Sequence, residues 1–527
     1  TLQSLIVAFV LAMAFRGFVL EGFVIPTGSM APTLMGAHVR FDSPVTGFEY
    51  PFDAGPLAEL GNRLEASRSI ELYDPMVSVN YPAFAAPVGA LRANTRMGDR
   101  VLVLKTLYTF FNPDRFDVVV FKNPTDPVGD TQNYIKRLVG LPNERILLVD
   151  GDVFAGPAGA ELPERAPITE KLAGMSVRRK PEHVQRAVWQ PVYDSDFVPI
   201  DVQQFEQRTR RDWPGPPWRA PGWRAEDRVY RWESANPTEI TWDGAIRAIN
   251  DWTAYNILRG GMTHYPVSDL RIAAAVVADQ PDALATTLTL HARRHLFTFS
   301  LADGAATIRM AHDEDEAQVR EVTAPVDPPA PGEAIELEFW HVDQALSIWI
   351  NGRRIVELTY DWSPTERIEN AFNGRTVEQY ARDPQAQMPT PPQVTWSFRG
   401  SPVEMRRLSL DRDLYYRPGR LSTNDQFRAN GPYIEGLAAA TDPSAPLRLG
   451  PDHFFMLGDN SPASRDGRMW GRPHQLVAIQ LEDETPFVVH RRLLLGKAWA
   501  VYFPAPLPMQ PGGRAFVPDL GRLRFIR

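Results

Sequence analysis

The sequence contains no cysteine, so disulfide bonds, cysteine-ligated metal sites and cysteine nucleophiles are excluded. It also lacks an excess of positive charge, because 64 acidic residues outnumber 56 basic ones and the formal net charge is −8. A nucleic-acid-binding domain needs a basic face, and this charge balance argues against a nucleic-acid partner. A third absence is a long apolar run, since none reaches the roughly 20 residues of a membrane-spanning helix.

The most apolar stretch lies close to the start of the chain. Residues 5–15 (LIVAFVLAMAF) are uninterrupted, and Arg16 and Glu21 then break the pattern. Three interpretations fit: the C-terminal part of a membrane anchor, the core of a signal peptide, or a buried core helix. We favour a single-pass anchor helix over residues 1–25, with both charged side chains at the interface, where they reach water.

Short apolar, β-branched segments predict strands in the first third of the chain. They are residues 99–105 (DRVLVLK), 116–121 (FDVVVF), 134–140 (YIKRLVG) and 145–150. In the third segment, a period of two places Lys136 on one face with Tyr134 and Leu138, and Arg137 on the other. The 48 prolines among 527 residues also favour loops and edge strands over long helices.

A second group of strands occupies the middle of the chain. Between residues 269 and 410, short alternating segments follow each other, and Asn351-Gly352 supplies a hairpin turn of the positive-φ type. Residues 339–352 (FWHVDQALSIWING) are similar to the concanavalin-like or laminin-G-like jelly roll. This pattern predicts a β-sandwich at about 230–415, within an insertion over 156–447.

Two residues have the chemistry of a serine–lysine pair. A serine hydroxyl is a poor nucleophile until a base removes its proton, and a lysine kept neutral by burial can serve as that base. Ser29 lies on a tight turn beside Gly28, and Lys136 lies in an apolar strand. Either feature alone is weak evidence, because both patterns arise often by chance.

Together with their neighbours, these residues resemble the type I signal peptidase family of membrane-bound serine–lysine peptidases. Four segments in order carry the resemblance: residues 26–34 (PTGSMAPTL), 116–122 (FDVVVFK), 134–142 (YIKRLVGLP), and 456–460 (MLGDN) continuing to 464–471 (SRDGRMWG). The resemblance covers about 130 residues of the chain, including the apolar stretch ahead of Ser29.

The resemblance implies how the reacting groups act. Ser29 would attack the scissile carbonyl, and Lys136 would be the general base that later protonates the leaving amine. The backbone N–H of Ser29 and the hydroxyl of Thr27 would form the oxyanion hole, which stabilises charge only as it develops. Thr27 stands where the family usually has serine. No cofactor is required.

The resemblance also implies supporting roles for the residues around this pair. Ser464 would hydrogen-bond Lys136 and orient it, and Met30 would line the substrate groove. The remaining assignments are structural: a salt bridge between Asp466 and Arg468, a turn at Gly458-Asp459-Asn460 packed under the site, and an ion pair made by Arg137.

The first insertion, over residues 36–96, has the outline of a zinc ribbon without its ligands. Residues 43–51 (SPVTGFEYP) resemble one knuckle with both cysteines replaced, and residues 78–81 are a candidate for the second. Structural zinc requires thiolate or imidazole ligands, which these positions lack. The alternatives are a relic ribbon without metal and an unrelated loop.

The resulting fold class is mainly β: an antiparallel β peptidase domain, an N-terminal anchor helix and an inserted β-sandwich. The peptidase core is assigned to residues 26–35, 97–155 and 448–505, and residues 506–527 form a C-terminal tail. The expected function is a signal peptidase I on the outer side of the cell membrane. It would cleave the signal peptides of preproteins after small residues (A-x-A), with membrane lipid as a further partner.

Two other functions remain open at this point. One is a membrane-anchored glycan- or cell-wall-binding β-sandwich protein whose peptidase portion is inactive. Sandwiches of this kind often bind glycans or peptides, although tryptophans in such a pattern are more often core residues. The other is a self-cleaving serine–lysine repressor, which has no reason to carry the apolar N-terminal segment.

Overall fold

The computed structural model describes residues 2–60, 69–80, 82–126, 128, 131–226, 228–315, 319–421, 436–505 and 519–527. Helices are short in this part of the chain, apart from the first. They are α1 (Leu2–Phe18), α2 (Gly55–Leu60), α3 (Val88–Ala93), α4 (Leu107–Phe110), α5 (Ile168–Leu172), α6 (Glu182–Val188), α7 (Val202–Thr209), α8 (Pro364–Ala371), α9 (Val377–Ala381) and α10 (Gln475–Leu481).

Strands make up most of the regular structure, so the prediction of a mainly β protein is confirmed. The strands up to residue 157 are β1 (Leu20–Val24), β2 (His38–Asp42), β3 (Glu49–Asp53), β4 (Ser69–Leu72), β5 (Phe84–Pro87), β6 (Thr95–Arg96), β7 (Arg100–Leu104), β8 (Val118–Lys122), β9 (Asn133–Gly140), β10 (Glu144–Val149) and β11 (Asp152–Pro157). Those between residues 176 and 421 are β12 (Ser176–Val177), β13 (Gln190–Asp194), β14 (Trp218–Arg219), β15 (Arg224–Glu226), β16 (Val229–Trp232), β17 (Thr238–Trp242), β18 (Leu270–Ala278), β19 (Ala285–Ala292), β20 (His295–Ala302), β21 (Ala305–His312), β22 (Val319–Pro325), β23 (Ala334–Val342), β24 (Ala345–Ile350), β25 (Arg353–Thr359), β26 (Gln393–Arg399), β27 (Val403–Arg412) and β28 (Arg420–Leu421). The last are β29 (Gly436–Leu437), β30 (Leu447–Arg448), β31 (His453–Leu457), β32 (Val489–His490), β33 (Leu494–Phe503) and β34 (Arg524–Phe525).

One antiparallel sheet joins the start, the first third and the end of the chain. Its strand order is β1-β7-β33-β8-β9-β31-β32, with β34 paired to β33. The apolar β8 forms its centre, and β9 pairs on one side with β8 and on the other with β31. Residues more than 300 positions apart are thereby neighbours, as in the pairing of Leu138 with Met456.

Two further large antiparallel sheets face each other over one hydrophobic core. The first has the order β15-β16-β27-β18-β23-β24-β25 and the second β14-β17-β26-β19-β20-β21-β22. Alternate residues of each strand point into the core, as the predicted strand periodicity requires. At the hairpin between β24 and β25, Asn351 and Gly352 both have positive φ, as expected from the Asn-Gly pair. Six tryptophans of this region are buried: Trp218, Trp223, Trp242, Trp340, Trp349 and Trp396.

The N-terminal helix is shorter than expected. The prediction of a helix over residues 1–25 is wrong at its C-terminal end, because α1 stops at Phe18 and β1 begins at Leu20. Pairing with β7 supplies backbone hydrogen bonds that draw these residues into the sheet. In the described part of the chain, no helix has the length and apolarity needed to cross a membrane.

Residues 36–96 contain a small sheet, β3-β2-β6, and the hairpin of β4 and β5. Asp74 occupies the centre of this region, fully buried, and accepts hydrogen bonds from the hydroxyls of Ser43 and Thr46. Asp74 therefore lies against the loop at 43–46. Of the candidate second knuckle at 78–81, Tyr81 lies outside the described residues. Burial raises the pKa of the Asp74 carboxyl, and these hydrogen bonds oppose that shift.

A buried group of charges joins the small sheet β12-β11-β10-β30 to the large sheets. Arg293 and Arg367 each contact Asp150 through Nε, at 2.8 Å and 2.9 Å. Arg293 also reaches Asp269, at 2.6 Å, and Arg367 reaches Asp152, at 2.9 Å. Buried charges are costly unless paired, so these contacts hold the two parts of the chain in a defined arrangement.

Candidate active site

Ser29 lies on the turn that follows β1. The chain leaves the edge of the sheet after Val24 and forms a single 3-10 turn over Gly28–Met30. The first backbone N–H groups of such a turn have no hydrogen-bond acceptor within the turn, and the Ser29 N–H is one of them. Ser29 itself is partly exposed, whereas the next residue is buried.

Lys136 approaches Ser29 from β9. Its Nζ lies 2.7 Å from Ser29 Oγ and 3.0 Å from the Ile135 carbonyl oxygen. The side chain is 4% exposed. It lies on the strand face shared with Tyr134 and Leu138, as the alternation predicts, and its cross-strand neighbour is Val119. The amine is therefore shielded from bulk water and in hydrogen-bond contact with the serine hydroxyl.

The environment of Lys136 favours the neutral amine. Burial lowers the pKa of Lys136 to about 8, and the nearby carboxylates of Asp466 and Asp459 partly oppose that shift. Removing an ammonium from water penalises only its charged form, which gives the sign of the change. A base with this pKa is substantially deprotonated under mildly alkaline conditions.

The loop after β31 lies directly under the serine turn. A Cβ on Gly458 would come within 2.1 Å of Ser464 Oγ and 2.5 Å of the Ser29 carbonyl oxygen, so only glycine allows this approach. Asn460 donates from its backbone N–H to the Ser29 carbonyl, at 3.1 Å, and from Nδ2 to the Gly28 carbonyl, at 3.0 Å. The expected position of this turn under the site agrees with the structure, but a specific role for Asn460 was not predicted.

A buried ion pair stabilises the same loop. Arg137 donates to Asp459 through Nε at 2.8 Å and through Nη2 at 2.6 Å, and both side chains are fully buried. Burial acts to lower the pKa of the Arg137 guanidinium, but the Asp459 carboxylate outweighs it and the pKa is raised. Thr33, just beyond the serine turn, also donates its hydroxyl to Asp459. Arg137, on the face of β9 opposite Lys136, thus forms the ion pair that was expected of it.

Asp466 and Arg468 form the expected salt bridge. Arg468 donates through Nε and Nη2, both at 2.8 Å, and Asp466 also accepts the Gly458 N–H at 3.0 Å. Both residues are buried. The bridge therefore holds the loop that carries Gly458 and Asn460.

Two expected contacts differ from the structure. No hydrogen bond joins Ser464 to Lys136: Ser464 Oγ is buried without a hydrogen-bond partner in the described part of the chain, since the amine is directed at Ser29 and Ile135. Met30 is completely buried among core residues such as Leu34, so it does not line an open groove. Thr27 is exposed at the start of the turn, and its hydroxyl does not cap it.

The comparisons with known proteins fall on the same part of the chain. The sequence model of the family described as signal peptidase, peptidase S26, matches residues 76–187, which include Lys136. The resemblance to type I signal peptidases is confirmed. The matched residues carry β5 to β12, among them β9, the strand of the lysine.

The curated relatives with similar sequences are also signal peptidases, and the similarity covers a limited length of each. Signal peptidase I of Rickettsia rickettsii (strain Sheila Smith) is 30% identical over 101 residues, which are 15% of this chain and 37% of that protein. Signal peptidase I of Pseudomonas aeruginosa (strain PAO1) is 32% identical over 99 residues, covering 15% of this chain and 34% of that protein. The chain thus spans little more than a third of the length of the curated relatives that it matches.

The solved structures that are similar to this chain include proteins other than signal peptidases. The carbohydrate binding module CBM66 from Bacillus subtilis has a TM-score of 0.22 at 7% identity, covering 37% of this chain and 95% of that one. Galectin LEC-6 from Caenorhabditis elegans has a TM-score of 0.16 at 11% identity, covering 28% of this chain and 82% of that one.

Proposed function

We propose that this protein is a signal peptidase I, an endopeptidase that removes N-terminal signal peptides from exported preproteins after small residues. The observation that carries the proposal is the 2.7 Å contact between the buried Lys136 amine and the Ser29 hydroxyl. A serine needs a base within hydrogen-bond reach, and the lysine satisfies that condition in an apolar environment.

The reaction follows from the positions of the two groups. Neutral Lys136 accepts the hydroxyl proton of Ser29 as Oγ forms a bond to the scissile carbonyl carbon. The resulting ammonium then donates that proton to the nitrogen of the leaving peptide as the C–N bond breaks. The same amine then takes a proton from water as the water oxygen bonds to the acyl carbon. The bond from that carbon to Ser29 Oγ breaks, Oγ receives the proton from the ammonium, and the signal peptide leaves with its new carboxyl group.

An oxyanion hole at the serine turn completes this scheme. We assign it to the Ser29 N–H and the Thr27 hydroxyl, in keeping with the resemblance to signal peptidases. Thr27 is exposed, so its hydroxyl is accessible to a bound substrate. Such donors act on charge that develops only in the transition state.

The free edge of β9 supports an extended substrate. β31 pairs with β9 only through Arg137, Leu138 and Gly140, so in the described part of the chain residues 133–136 have no strand partner on that side. A peptide in extended conformation can add to such an edge through main-chain hydrogen bonds. Its scissile bond would then lie beside the lysine that ends this open edge.

Exposed apolar side chains support an association with membrane lipid. The first turns of α1 are exposed, with Leu2 at 74% and Phe9 at 63%. Further exposed apolar residues on the same sheet as β1 include Val24, Trp499 and Phe525. The surfaces of soluble proteins rarely carry several exposed apolar side chains together. We propose that this face of the protein contacts the outer surface of the cell membrane.

The domain division also belongs to this proposal. We assign the peptidase core to the sheet that carries Ser29 and Lys136, interrupted by the 36–96 and 156–447 insertions. The two large sheets form the β-sandwich of the second insertion. Their common core includes residues from Val192 to Leu410, so the unit begins before the expected position of 230.

Cleavage of a preprotein by the purified full-length chain tests the function. The substrate carries alanine at the first and third positions before the cleavage site. Ser29→Ala is expected to abolish the new N-terminus, and Lys136→Met to lower kcat by at least about a hundredfold, the usual contribution of a general base. Both variants are expected to retain the wild-type circular dichroism spectrum.

Ser234→Ala and Lys171→Met are matched controls outside this sheet and are expected to process the preprotein normally. Normal turnover by Ser29→Ala or Lys136→Met contradicts the assignment of the pair. A wild-type protein that leaves every preprotein uncut contradicts the proposed function itself.

A further inference from the structure

The loop between β17 and β18 extends from the large sheets to the serine turn. β17 and β18 belong to different sheets, and the connection between them carries a 3-10 turn at Ala254–Asn256. Its base is closed by the bridge between Asn250 and Pro266 and by the hydrogen bond from Asp251 N to the Tyr265 carbonyl. A loop held in this way presents its tip in a defined position.

The tip of this loop forms a reciprocal amide pair with the loop under Ser29. Asn256 Nδ2 donates to Asn460 Oδ1 at 2.7 Å, and Asn460 Nδ2 donates to Asn256 Oδ1 at 3.0 Å. Both asparagines are buried. The second Nδ2 hydrogen of Asn460 is the one that reaches the Gly28 carbonyl.

This pairing determines which way the Asn460 amide faces. An amide rotated by 180° would present its oxygen to the Gly28 carbonyl oxygen and its NH₂ to the Asn256 donor, and both contacts would be repulsive. Without Asn256, the Gly28 carbonyl alone would orient the Asn460 side chain. The hydrogen bond to the Gly28 carbonyl, next to the Ser29 amide, thus depends on a residue more than 200 positions away in sequence.

The same loop contacts the serine turn at a second point. The ring of Tyr255 lies against Gly28, where an added Cβ would come within 2.2 Å of the ring. Tyr255 is almost fully buried and packs with Ala31 and Met35, directly after the serine turn. The ring therefore blocks movement of the turn toward the β17–β18 loop.

A third connection runs to the Asp466–Arg468 bridge. Asp251 forms a salt bridge with Arg417. Arg417 donates its N–H to Ser461 Oγ at 2.9 Å, and Arg468 donates to the same Oγ at 2.7 Å. The β17–β18 loop is therefore connected to the loop under Ser29 in two ways. One runs through Asn256 to Asn460, and the other through Asp251, Arg417 and Ser461 to Arg468.

We infer that Asn256 is a positioning residue for Ser29: by pairing with Asn460 it holds the serine turn at the distance from Lys136 that proton transfer requires. This inference rests on the proposed peptidase function. It extends that function by making the β17–β18 loop an integral part of the active site.

Asn256→Ala tests the inference in the full-length protein. A small displacement of a reacting group lowers the rate without weakening binding, so we expect kcat to fall by about 10- to 100-fold with KM within about twofold. Asn256→Asp is isosteric but places a carboxylate oxygen against Asn460 Oδ1 in place of the donor, so its kcat is expected to fall at least as far as that of Asn256→Ala. Asn236→Ala, at an exposed position of the same region, is the control.

Hydrogen–deuterium exchange provides a readout that does not depend on activity. Faster exchange of residues 27–35 and 458–464 in Asn256→Ala, with unchanged exchange in β18 and β26, supports the positioning role. Uniformly faster exchange, or a lower melting temperature with unchanged kcat, overturns it. A rise in KM alone also overturns it, since that result indicates a substrate contact. If the wild-type protein leaves the preprotein uncut, the proposed function fails, and the exchange pattern still decides this inference.

Discussion

If Lys136 is the general base of the proposed peptidase, the pKa of its buried amine sets the pH dependence of cleavage. Burial lowers its pKa from 10.5 to about 8. Only the neutral amine accepts the Ser29 proton, so kcat/KM is expected to rise with pH and to level off above the pKa of the free enzyme. The neutral fraction is about 1% at pH 6 and about 90% at pH 9 for a group with that pKa, a rise of about 90-fold.

An ordinary solvated lysine predicts a different curve. With a pKa of 10.5, the neutral fraction increases about a thousandfold between pH 6 and pH 9 and shows no plateau in that range. The position of the plateau therefore distinguishes a buried base from an exposed one. A rate that is flat from pH 6 to pH 9 contradicts a lysine base altogether.

The assay is the initial rate of cleavage of a peptide with a blocked N-terminus and no histidine, cysteine, lysine or tyrosine. Such a peptide has no group that titrates between pH 6 and pH 10. Measurements at constant ionic strength, with the far-ultraviolet circular dichroism spectrum recorded at each pH, separate titration from unfolding. We expect a single acidic limb of unit slope with its midpoint near pH 8.

Asp466→Asn shows whether that midpoint belongs to Lys136. The Asp466 carboxylate raises the pKa of the lysine, so its removal is expected to move the midpoint to lower pH. Arg468, left without its carboxylate partner, acts in the same direction. An unchanged midpoint, or one that moves to higher pH, refutes this account of the lysine environment.

Two substitutions test the packing around the pair. Asp459→Asn leaves the Arg137 guanidinium buried without its counter-charge and is expected to lower the free energy of unfolding by about 3–5 kcal/mol, measured as a fall in melting temperature; unchanged stability contradicts the importance of this ion pair. Gly28→Ala is expected to displace the Tyr255 ring and to lower kcat, whereas Gly28→Ala combined with Tyr255→Leu is expected to recover part of the loss. Gly260→Ala is the control, because a Cβ there meets open space, and equal activity of the single and double variants contradicts the steric explanation.

Local sequence patterns predicted the strands well, because a strand needs only alternation and turn residues to be recognised. The predicted segment 134–140 is β9 to within one residue, and β18 (Leu270–Ala278) opens the predicted run of strands between 269 and 410. The end of the N-terminal helix was not predicted, since apolar residues continue past Phe18 into β1 on both sides of Glu21. Pairing with β7 ends the helix there, and pairing is not visible in the sequence of one strand.

Ser29 and Lys136 were selected from the sequence only through the resemblance to signal peptidases, because residue type, turn and strand face are local properties that recur often by chance. Their distance, the burial that sets the pKa of the amine, and the absence of a hydrogen bond from Ser464 were decided by tertiary structure. The clearest case is Asn256, which carries no motif and lies between strands of other sheets. It reaches the serine turn only because strand pairing and loop closure bring distant segments together, and such long-range contacts leave no periodic signal in a single sequence.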